Sequence, residues 1–190
     1  MRAFKTACLC TALVWAVNAV WLVQDSRPPV WDMALHQSYA LNYTAGSTAV
    51  RIPILPWDRS GNYPPFVHLA VALFFTLLHP SSRVAILANI PATFLLFWAV
   101  YELAADLAGN AAARWACVLT ALVPYLLWMS RETILDYWLS AWFCVCLVWL
   151  RRTKGFELPS ASLLLGVFMA LGLLTKGLFA GLIVIPFSYV

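Results

Sequence analysis

Apolar stretches alternate with short polar interruptions along almost the whole chain. Seven such stretches cover residues 6–23, 66–78, 84–105, 112–129, 137–150, 161–174 and 178–190. A membrane-spanning helix needs about 20 mainly apolar residues, with roughly 17 as a working minimum. The pattern therefore predicts a bundle of helices that crosses a membrane several times. The stretch 66–78 is short and lies between Pro64-Pro65 and Pro80, so its length alone does not show whether it crosses.

The composition supports a membrane protein rather than a soluble domain. Hydrophobic residues make up 63% and charged residues 11% of the chain, against roughly 45–50% and about 25% in soluble domains. The first stretch is not read as a cleaved signal peptide, because Asn18 and Trp21 stand where small residues would be required. The formal net charge of +4 is spread along the chain and gives no reason to expect nucleic acid as a partner.

The five cysteines predict neither a metal centre nor redox chemistry. All of them lie inside apolar stretches: Cys8, Cys10, Cys117, Cys144 and Cys146. Residues two positions apart on a helix point about 200° apart. The two cysteines of each C-x-C pair therefore cannot bind the same metal ion. We interpret these cysteines as small apolar side chains within the helices.

The distribution of positive charge predicts the topology. We place the N-terminus, with Arg2 and Lys5, in the cytoplasm and leave 66–78 on the external surface as a helix that does not cross. The loops that become cytoplasmic then contain four positive charges, whereas the short external loops contain only Arg131 and Lys176. The four are Arg114, Arg151, Arg152 and Lys154. In this arrangement residues 24–83 form one long external segment and residues 130–135 form an external turn.

The external segment is predicted to contain two short helices that lie on the membrane surface. Apolar residues recur near helical spacing in 28–46 after a Pro-Pro start, and 66–78 provides the second helix. Asp32 and His36 are four residues apart and share one face of the first helix. The fold class predicted is thus all-α: a polytopic transmembrane bundle with juxtamembrane helices in its first external loop.

Three short motifs resemble those of one enzyme superfamily. "SRETILD" (130–136) is similar to the S-R-x-x-x-L-D motif of protein O-mannosyltransferases, and "NYPPFVHLAVALF" (62–74) looks like their Y-P-P-L or H-P-P-L juxtamembrane helix. "LGLLTKG" (171–177) resembles the L-A-L-L-T-K-G signature of the bacterial branch, which includes the aminoarabinose transferases and related lipopolysaccharide glycosyltransferases. Asp32 occupies the position of the first catalytic acid. The resemblance implies a family-39-like glycosyltransferase of the GT-C superfamily.

The chain departs from the pattern of these families at several places. Met33 follows Asp32 where a Glu is common, and Tyr63 stands where a His often precedes Pro-Pro. Members of the superfamily run to several hundred residues, whereas this chain ends at Val190 inside an apolar stretch. We therefore expect residues 1–190 to be a single N-terminal portion of the transmembrane catalytic module, with the C-terminal part absent.

The resemblance implies a carboxylate pair that does the chemistry. Transfer of a sugar from a lipid phosphate needs a base for the acceptor and cations for the departing phosphate. Asp32 is predicted to be the base, the alternative being a helix cap or a solvated acid. Asp136 is predicted to orient the acceptor or to help bind a metal. Asp136 could equally stabilise the dipole of the helix that it opens.

The candidate ligands of the lipid phosphate are basic and aromatic. Lys176 is the first candidate, with snorkelling to the headgroups as the alternative. The other predicted binding residues are Arg83, Arg131, Tyr63 and His68. Asp32 and His36, together with His68, are candidate ligands of a divalent metal, although their spacing fixes no coordination geometry. The alternative is that the two histidines only pack or form hydrogen bonds.

These residues predict a membrane glycosyltransferase that takes a sugar from a polyprenyl-phosphate-linked donor. The acceptor would be a protein, a lipid or a polysaccharide on the external face, which in a bacterium is the periplasmic face of the inner membrane. The alternatives are a non-catalytic or truncated membrane protein and, less readily, a transporter. A transporter would place its charges near the middle of helices and show inverted repeats, and neither feature is visible in the sequence.

Overall fold

The computed structural model describes residues 1–45 and 60–188, and this part of the chain is helical, with no β-strand. Its helices are α1 (Arg2–Gln24), α2 (Trp31–Ala45), α3 (Phe66–Leu78), α4 (Ser82–Leu87), α5 (Ile90–Ala121), α6 (Pro124–Met129), α7 (Leu135–Arg152), α8 (Pro159–Leu173) and α9 (Phe179–Phe187). The all-α prediction is confirmed for the described residues. The predicted helical segments 28–46 and 178–190 each include one or two residues that lie outside the described ranges.

Two segments of the described chain are long and apolar enough to cross a membrane. They are Arg2–Gln24, which forms α1, and Ser82–Ala121, which contains α4 and α5. At about 1.5 Å per residue the 23 residues of α1 extend roughly 34 Å, which matches the hydrocarbon core of a bilayer. Phe66–Leu78 and Pro159–Leu173 are shorter apolar helices.

The second of these segments folds back on itself at Gly109. This residue has φ 81° and ψ 174°, a conformation that is not helical and that only glycine adopts readily. The Cys117 thiol lies 3.5 Å from the carbonyl oxygen of Phe97, although 20 residues separate them in the sequence. A straight helix would hold these residues about 30 Å apart. α5 is therefore a hairpin of two antiparallel arms, as the separate predicted stretches 84–105 and 112–129 require.

Small side chains allow α1 to pack closely on this hairpin. Ala7 and Cys10 of α1 are buried in one cluster with Phe97, Ala113 and Cys117 of the two arms. Small residues at helix contacts let the backbones approach closely. In a lipid bilayer, where apolar burial does not drive helices together, such close packing is a main source of helix association. α1 is in this way packed along much of its length on α5.

A larger core joins α5, α7 and α8. It is built on the aromatic residues of α7, Trp138 and Trp142, with Leu96 of α5 and Leu165 of α8. Arg152, the last residue of α7, forms an ion pair with Glu102 of α5, with Nη2 lying 2.6 Å from Oε2. This contact is at the same end of the bundle as the Gly109 turn. All of the candidate site residues lie at the opposite end.

α3 lies across that opposite end instead of running along the bundle. At its start, the amide of Phe66 donates to the carbonyl oxygen of Leu174, 3.0 Å away. After its end, three residues lead to α4, whose N-terminus is capped by the Ser81 hydroxyl. One side of α3 buries Val67, Val71 and Phe75 on the core. Both ends of this 13-residue helix are thus held at the same end of the bundle.

Candidate active site

The three sequence motifs meet at one end of the molecule. The motif around Pro64-Pro65 contacts "LLTKG" through the hydrogen bond from Phe66 to Leu174. "LLTKG" contacts "SRETILD" through Lys176, whose Nζ lies 2.7 Å from Asp136 Oδ1. "SRETILD" contacts α2 through Thr133, whose hydroxyl accepts a 3.0 Å hydrogen bond from Gln37 Nε2. A continuous polar layer therefore connects α2, α3, α7 and α8.

Two buried asparagines hold the "SRETILD" turn in place. Asn18 of α1 donates to the Ser130 hydroxyl at 2.8 Å. Asn89, just before α5, donates to the carbonyl oxygen of Glu132 at 2.8 Å. Polar side chains in apolar helices are costly unless they are hydrogen-bonded. Neither asparagine was predicted to support the site, although their occurrence within or beside apolar stretches was a signal that could have identified them.

The Asp136–Lys176 ion pair is the central contact of the site. Asp136 lies in the first turn of α7, where the partial positive charge of the helix N-terminus favours a carboxylate. Lys176 lies in the non-helical link between α8 and α9. The two side chains are 44% and 31% exposed, so the pair is reachable by a ligand and contributes only modestly to stability. Sequence reasoning placed both residues on one side but did not predict their contact.

Asp32 and both members of this ion pair act electrostatically on one buried side chain, His36. Asp32 is exposed in the first turn of α2, and His36 is buried one turn further on. Burial lowers the pKa of His36, while the negative charges of Asp32 and Asp136 act to raise it and the positive charge of Lys176 acts to lower it. The same imidazole ring is therefore within electrostatic reach of all three charged groups. The two carboxylates lie at one end of the molecule, each in the first turn of its helix; their side of a membrane stays a prediction.

His36 and His68 form a buried pair that joins α2 to α3. His36 Nδ1 lies 3.0 Å from His68 Nε2, and His68 Nδ1 lies 2.8 Å from the Ser60 hydroxyl, which in turn contacts the Tyr43 hydroxyl at 2.7 Å. Burial, together with the charge of His36, lowers the pKa of His68 to about 4. Both rings are therefore neutral at neutral pH.

The predicted metal and substrate roles of these histidines stay predictions. In residues 1–45 and 60–188 no three His, Cys, Asp or Glu side chains are grouped closely enough to hold a metal ion. The ring of Tyr63 packs edge-on against that of His36, with centroids 4.9 Å apart. Tyr63 and His68 thus lie in the cluster beside Asp32, where the geometry gives them a hydrogen-bonding and packing function.

Arg83 and Arg131 lie apart from Lys176, although the sequence grouped all three as phosphate ligands. They line a cavity of about 390 Å³ together with Trp21, Arg27 and Glu132. The guanidinium carbon of Arg131 lies 5.4 Å from the centroid of the Trp21 ring. Asp32, Asp136 and Lys176 do not line this cavity among the described residues. The structure therefore separates the basic residues into two places, and Trp21 and Arg27 were not predicted to take part in either.

An apolar cavity begins at Leu139 and Ser140, about one turn along α7 from Asp136. It has a volume of about 350 Å³ and is lined by Leu96, Leu139, Phe143 and Leu182, with Ser140 as one of its few polar groups. The Ser140 hydroxyl donates to the carbonyl oxygen of Asp136 at 2.9 Å. The cavity therefore begins about one helical turn below the ion pair.

Comparison with known proteins identifies the family. A sequence model of the dolichyl-phosphate-mannose-protein mannosyltransferase family matches residues 62–190, which include all three motifs. No curated protein and no solved structure matches the chain. The match covers more than half of the sequence and confirms the resemblance inferred from the motifs. The chain belongs to the dolichyl-phosphate-mannose-protein mannosyltransferase family.

Proposed function

We propose that this chain carries the donor and base sites of a membrane glycosyltransferase that uses a polyprenyl-phosphate-linked sugar. The family match supports a membrane glycosyltransferase of the mannosyltransferase kind. The observation that carries the finer proposal is the partly exposed ion pair of Asp136 and Lys176, 2.7 Å apart, whose charges act on His36 together with that of Asp32. The acceptor is a protein, a lipid or a polysaccharide on the external face.

The chemistry assigns a different role to each charged group. Asp32, which is exposed, takes the proton of the acceptor hydroxyl as general base. The acceptor oxygen then attacks the anomeric carbon, and the bond from that carbon to the phosphate oxygen breaks with its electron pair on the phosphate. Lys176 stabilises the negative charge that develops there. Lys176 already contacts Asp136 at 2.7 Å. The arriving phosphate would therefore either share Lys176 with the Asp136 carboxylate or take the place of that carboxylate.

The apolar cavity beneath Asp136 supports a lipid-linked donor over a soluble one. A sugar nucleotide needs no apolar channel below its phosphate, whereas a polyprenyl chain does. Leu139 and Ser140 of α7 and Leu182 of α9 line this cavity within two turns of Asp136 and Lys176. A donor with its phosphate at Lys176 would therefore place the first isoprene units among these side chains.

The proposed setting is a multi-pass membrane protein with its site on the external face, which for a bacterium is the periplasmic face of the inner membrane. α1 and the first arm of α5 form two of the crossings, the second arm together with α6 forms a third, and α7 and α8 supply others. The positive side chains of Arg151 and Arg152 lie at the end opposite the site, as the positive-inside rule requires of a cytoplasmic end. Residues 24–83 and the turn 130–135 then lie outside.

The test is transfer of labelled sugar from a polyprenyl phosphate in liposomes that contain the enzyme. Asp32→Asn keeps the shape of the side chain but removes the basic oxygen, and the rate should fall by about 10²–10⁴-fold. Asp106→Asn is the matched control, since Asp106 contacts Arg151 at the opposite end, and its rate should not change. Transfer by Asp32→Asn at the rate of the unchanged enzyme would reject the proposal.

A further inference from the structure

The cavity lined by Arg83 and Arg131 lies on a different face of α2 from Asp32. Met33 and Gln37 line this cavity, whereas Asp32 and His36 lie about 100° away around the same helix. The neighbouring walls come from the end of α1, the first turn of α4 and the "SRETILD" turn. α2 therefore divides the external end of the protein into two separate places for ligands.

The charge of this cavity is not balanced by its own carboxylates. Three arginines and two acids line it, and Asp25 is occupied by Arg27 through contacts of 2.8 Å and 3.1 Å. Burial raises the pKa of Glu132, which favours its neutral form. In the described part of the chain no carboxylate lies within 4.0 Å of the guanidinium of Arg83 or Arg131. Two cations thus face the cavity without an ion-pair partner.

Arg131 is also left with an unsatisfied donor. Its Nε atom is buried and has no hydrogen-bond partner in the part of the chain that the structure describes. A buried donor without a partner costs about 1–3 kcal/mol, and more when the group is charged. The side chain is held in place by its position over the Trp21 ring. Because this Nε is itself buried, an anionic oxygen in the cavity would accept from it only after a small shift of the arginine or of the side chains around it.

The apolar walls of the cavity indicate that its ligand has an apolar body. Trp21, Trp128, Pro28 and Met33 line it beside the arginines. The adjacent Trp31 is 90% exposed, and tryptophans in such positions are typical of the interface between headgroups and hydrocarbon. A small free anion would leave these apolar walls exposed to water. An amphiphile with its anionic group among the arginines would cover them.

We propose that this cavity binds the phosphate group of a lipid, at a site separate from the Asp136–Lys176 pair. The planar guanidinium groups of Arg83 and Arg131 match the oxygens of a phosphate, which arginine contacts in pairs. A volume of about 390 Å³ holds a phosphate headgroup with the first part of its chains. The lipid is a membrane phospholipid or a polyprenyl phosphate, because both present the same chemistry. The proposal does not depend on Asp32 being catalytic.

Native mass spectrometry of the detergent-purified protein tests this site. The ligands are phosphatidic acid, a polyprenyl phosphate, inorganic phosphate and, as the lipid without phosphate, diacylglycerol. The variant Arg83→Gln/Arg131→Gln should lose at least about tenfold in affinity for one or both lipid phosphates, since each charge-assisted contact contributes roughly 1.5–3 kcal/mol. Arg131→Lys, which keeps the charge but not the paired geometry, should retain intermediate affinity.

The matched control is Arg114→Gln, an exposed arginine on the second arm of α5, which should leave binding unchanged. A loss confined to phosphatidic acid identifies a membrane phospholipid as the ligand, and a loss confined to polyprenyl phosphate identifies the lipid carrier. The proposal is overturned if the double variant binds both lipid phosphates like the unchanged protein. It is also overturned if diacylglycerol binds equally well or if inorganic phosphate alone binds. The Asp32→Asn variant should bind lipid phosphate normally, which separates this site from the catalytic proposal.

Discussion

Lys176 Nζ lies 2.7 Å from Asp136 Oδ1, and this ion pair joins two motifs that are 40 residues apart. From the sequence, each residue also had a non-catalytic explanation. Asp136 could stabilise a helix N-terminus, and Lys176 could extend to the lipid headgroups. Their contact makes both explanations incomplete, because each group neutralises the other at the place where a charged ligand would enter. The pair thus places a partly exposed cation and a partly exposed anion side by side, and we propose that a charged ligand contacts one of them there.

The first prediction follows from the partial exposure of this pair. Lys176→Met and Asp136→Asn should each lower the free energy of unfolding by less than about 1 kcal/mol, because solvent screens the interaction. Sugar transfer should fall by roughly 10–100-fold in Lys176→Met, which corresponds to the loss of one hydrogen bond to a charged group. Thermal unfolding in detergent and the transfer assay measure the two effects. A variant that unfolds readily yet transfers sugar at the normal rate would contradict the assignment.

The second prediction concerns the turn of α5. Gly109 has φ 81° and ψ 174°, and side chains are strained there by about 1–3 kcal/mol. Gly109→Ala should therefore lower the unfolding temperature even though a Cβ atom at this position would meet no other atom within 4 Å. Gly166→Ala in α8 is the matched control, because it also has open space but a helical backbone. That control should be neutral or stabilise by up to about 1 kcal/mol. Equal effects of the two changes would show that the hairpin is not held by the glycine conformation.

Local features of the fold were predictable because prolines and glycines fix them. The predicted stretch 66–78 coincides with α3, because Pro64-Pro65 before it and Pro80 after it restrict where a helix can begin and end. The stretch predicted over 112–129 is divided into the end of α5 and the separate α6. Pro124 causes the break, because it lacks the amide that would continue the helix.

The parts of the site that depend on long-range packing were not predictable. The number of positive charges in each loop was enough to predict that Asp32 and Asp136 lie on the same side of the membrane. That prediction needs no knowledge of distances between residues. The same count could not separate Arg131 from Lys176, because both lie in external turns. Their separation depends on which faces of α2 meet the neighbouring helices. The His36–His68 contact spans 32 residues and depends on the same orientation.

The third prediction concerns the pH dependence of stability. Burial lowers the pKa values of His36 and His68, the latter to about 4, while the unfolded chain binds protons at about 6.5. The stability that the neutral pair contributes is present above pH 6.5 and is lost as the pH falls towards 4, because the unfolded state then binds more protons. The unfolding temperature should therefore fall steadily between these values.

Matched variants assign this pH dependence. His68→Gln can still form hydrogen bonds but does not titrate, so the unfolding temperature should change less with pH than in the unchanged protein. His79→Gln alters an exposed histidine after α3 and should leave the slope unchanged. If His68→Gln and His79→Gln show the same slope as the unchanged protein, the buried pair does not control acid stability.

The last prediction is the topology, on which the shared site depends. The chain between α7 and α8 should be cytoplasmic, because Arg151 and Arg152 contact Asp106 and Glu102 at the end of the bundle away from the three motifs. Glu157 in this link is exposed and suits labelling, whereas Thr153 is fully buried. Glu157→Cys should react with a membrane-impermeant maleimide only after the membrane is opened, whereas Ser26→Cys, in the external segment, should react in intact cells. The unchanged protein, with its five free cysteines, gives the background. External labelling at residue 157 would place the ion pair in the cytoplasm and remove the proposed external reaction.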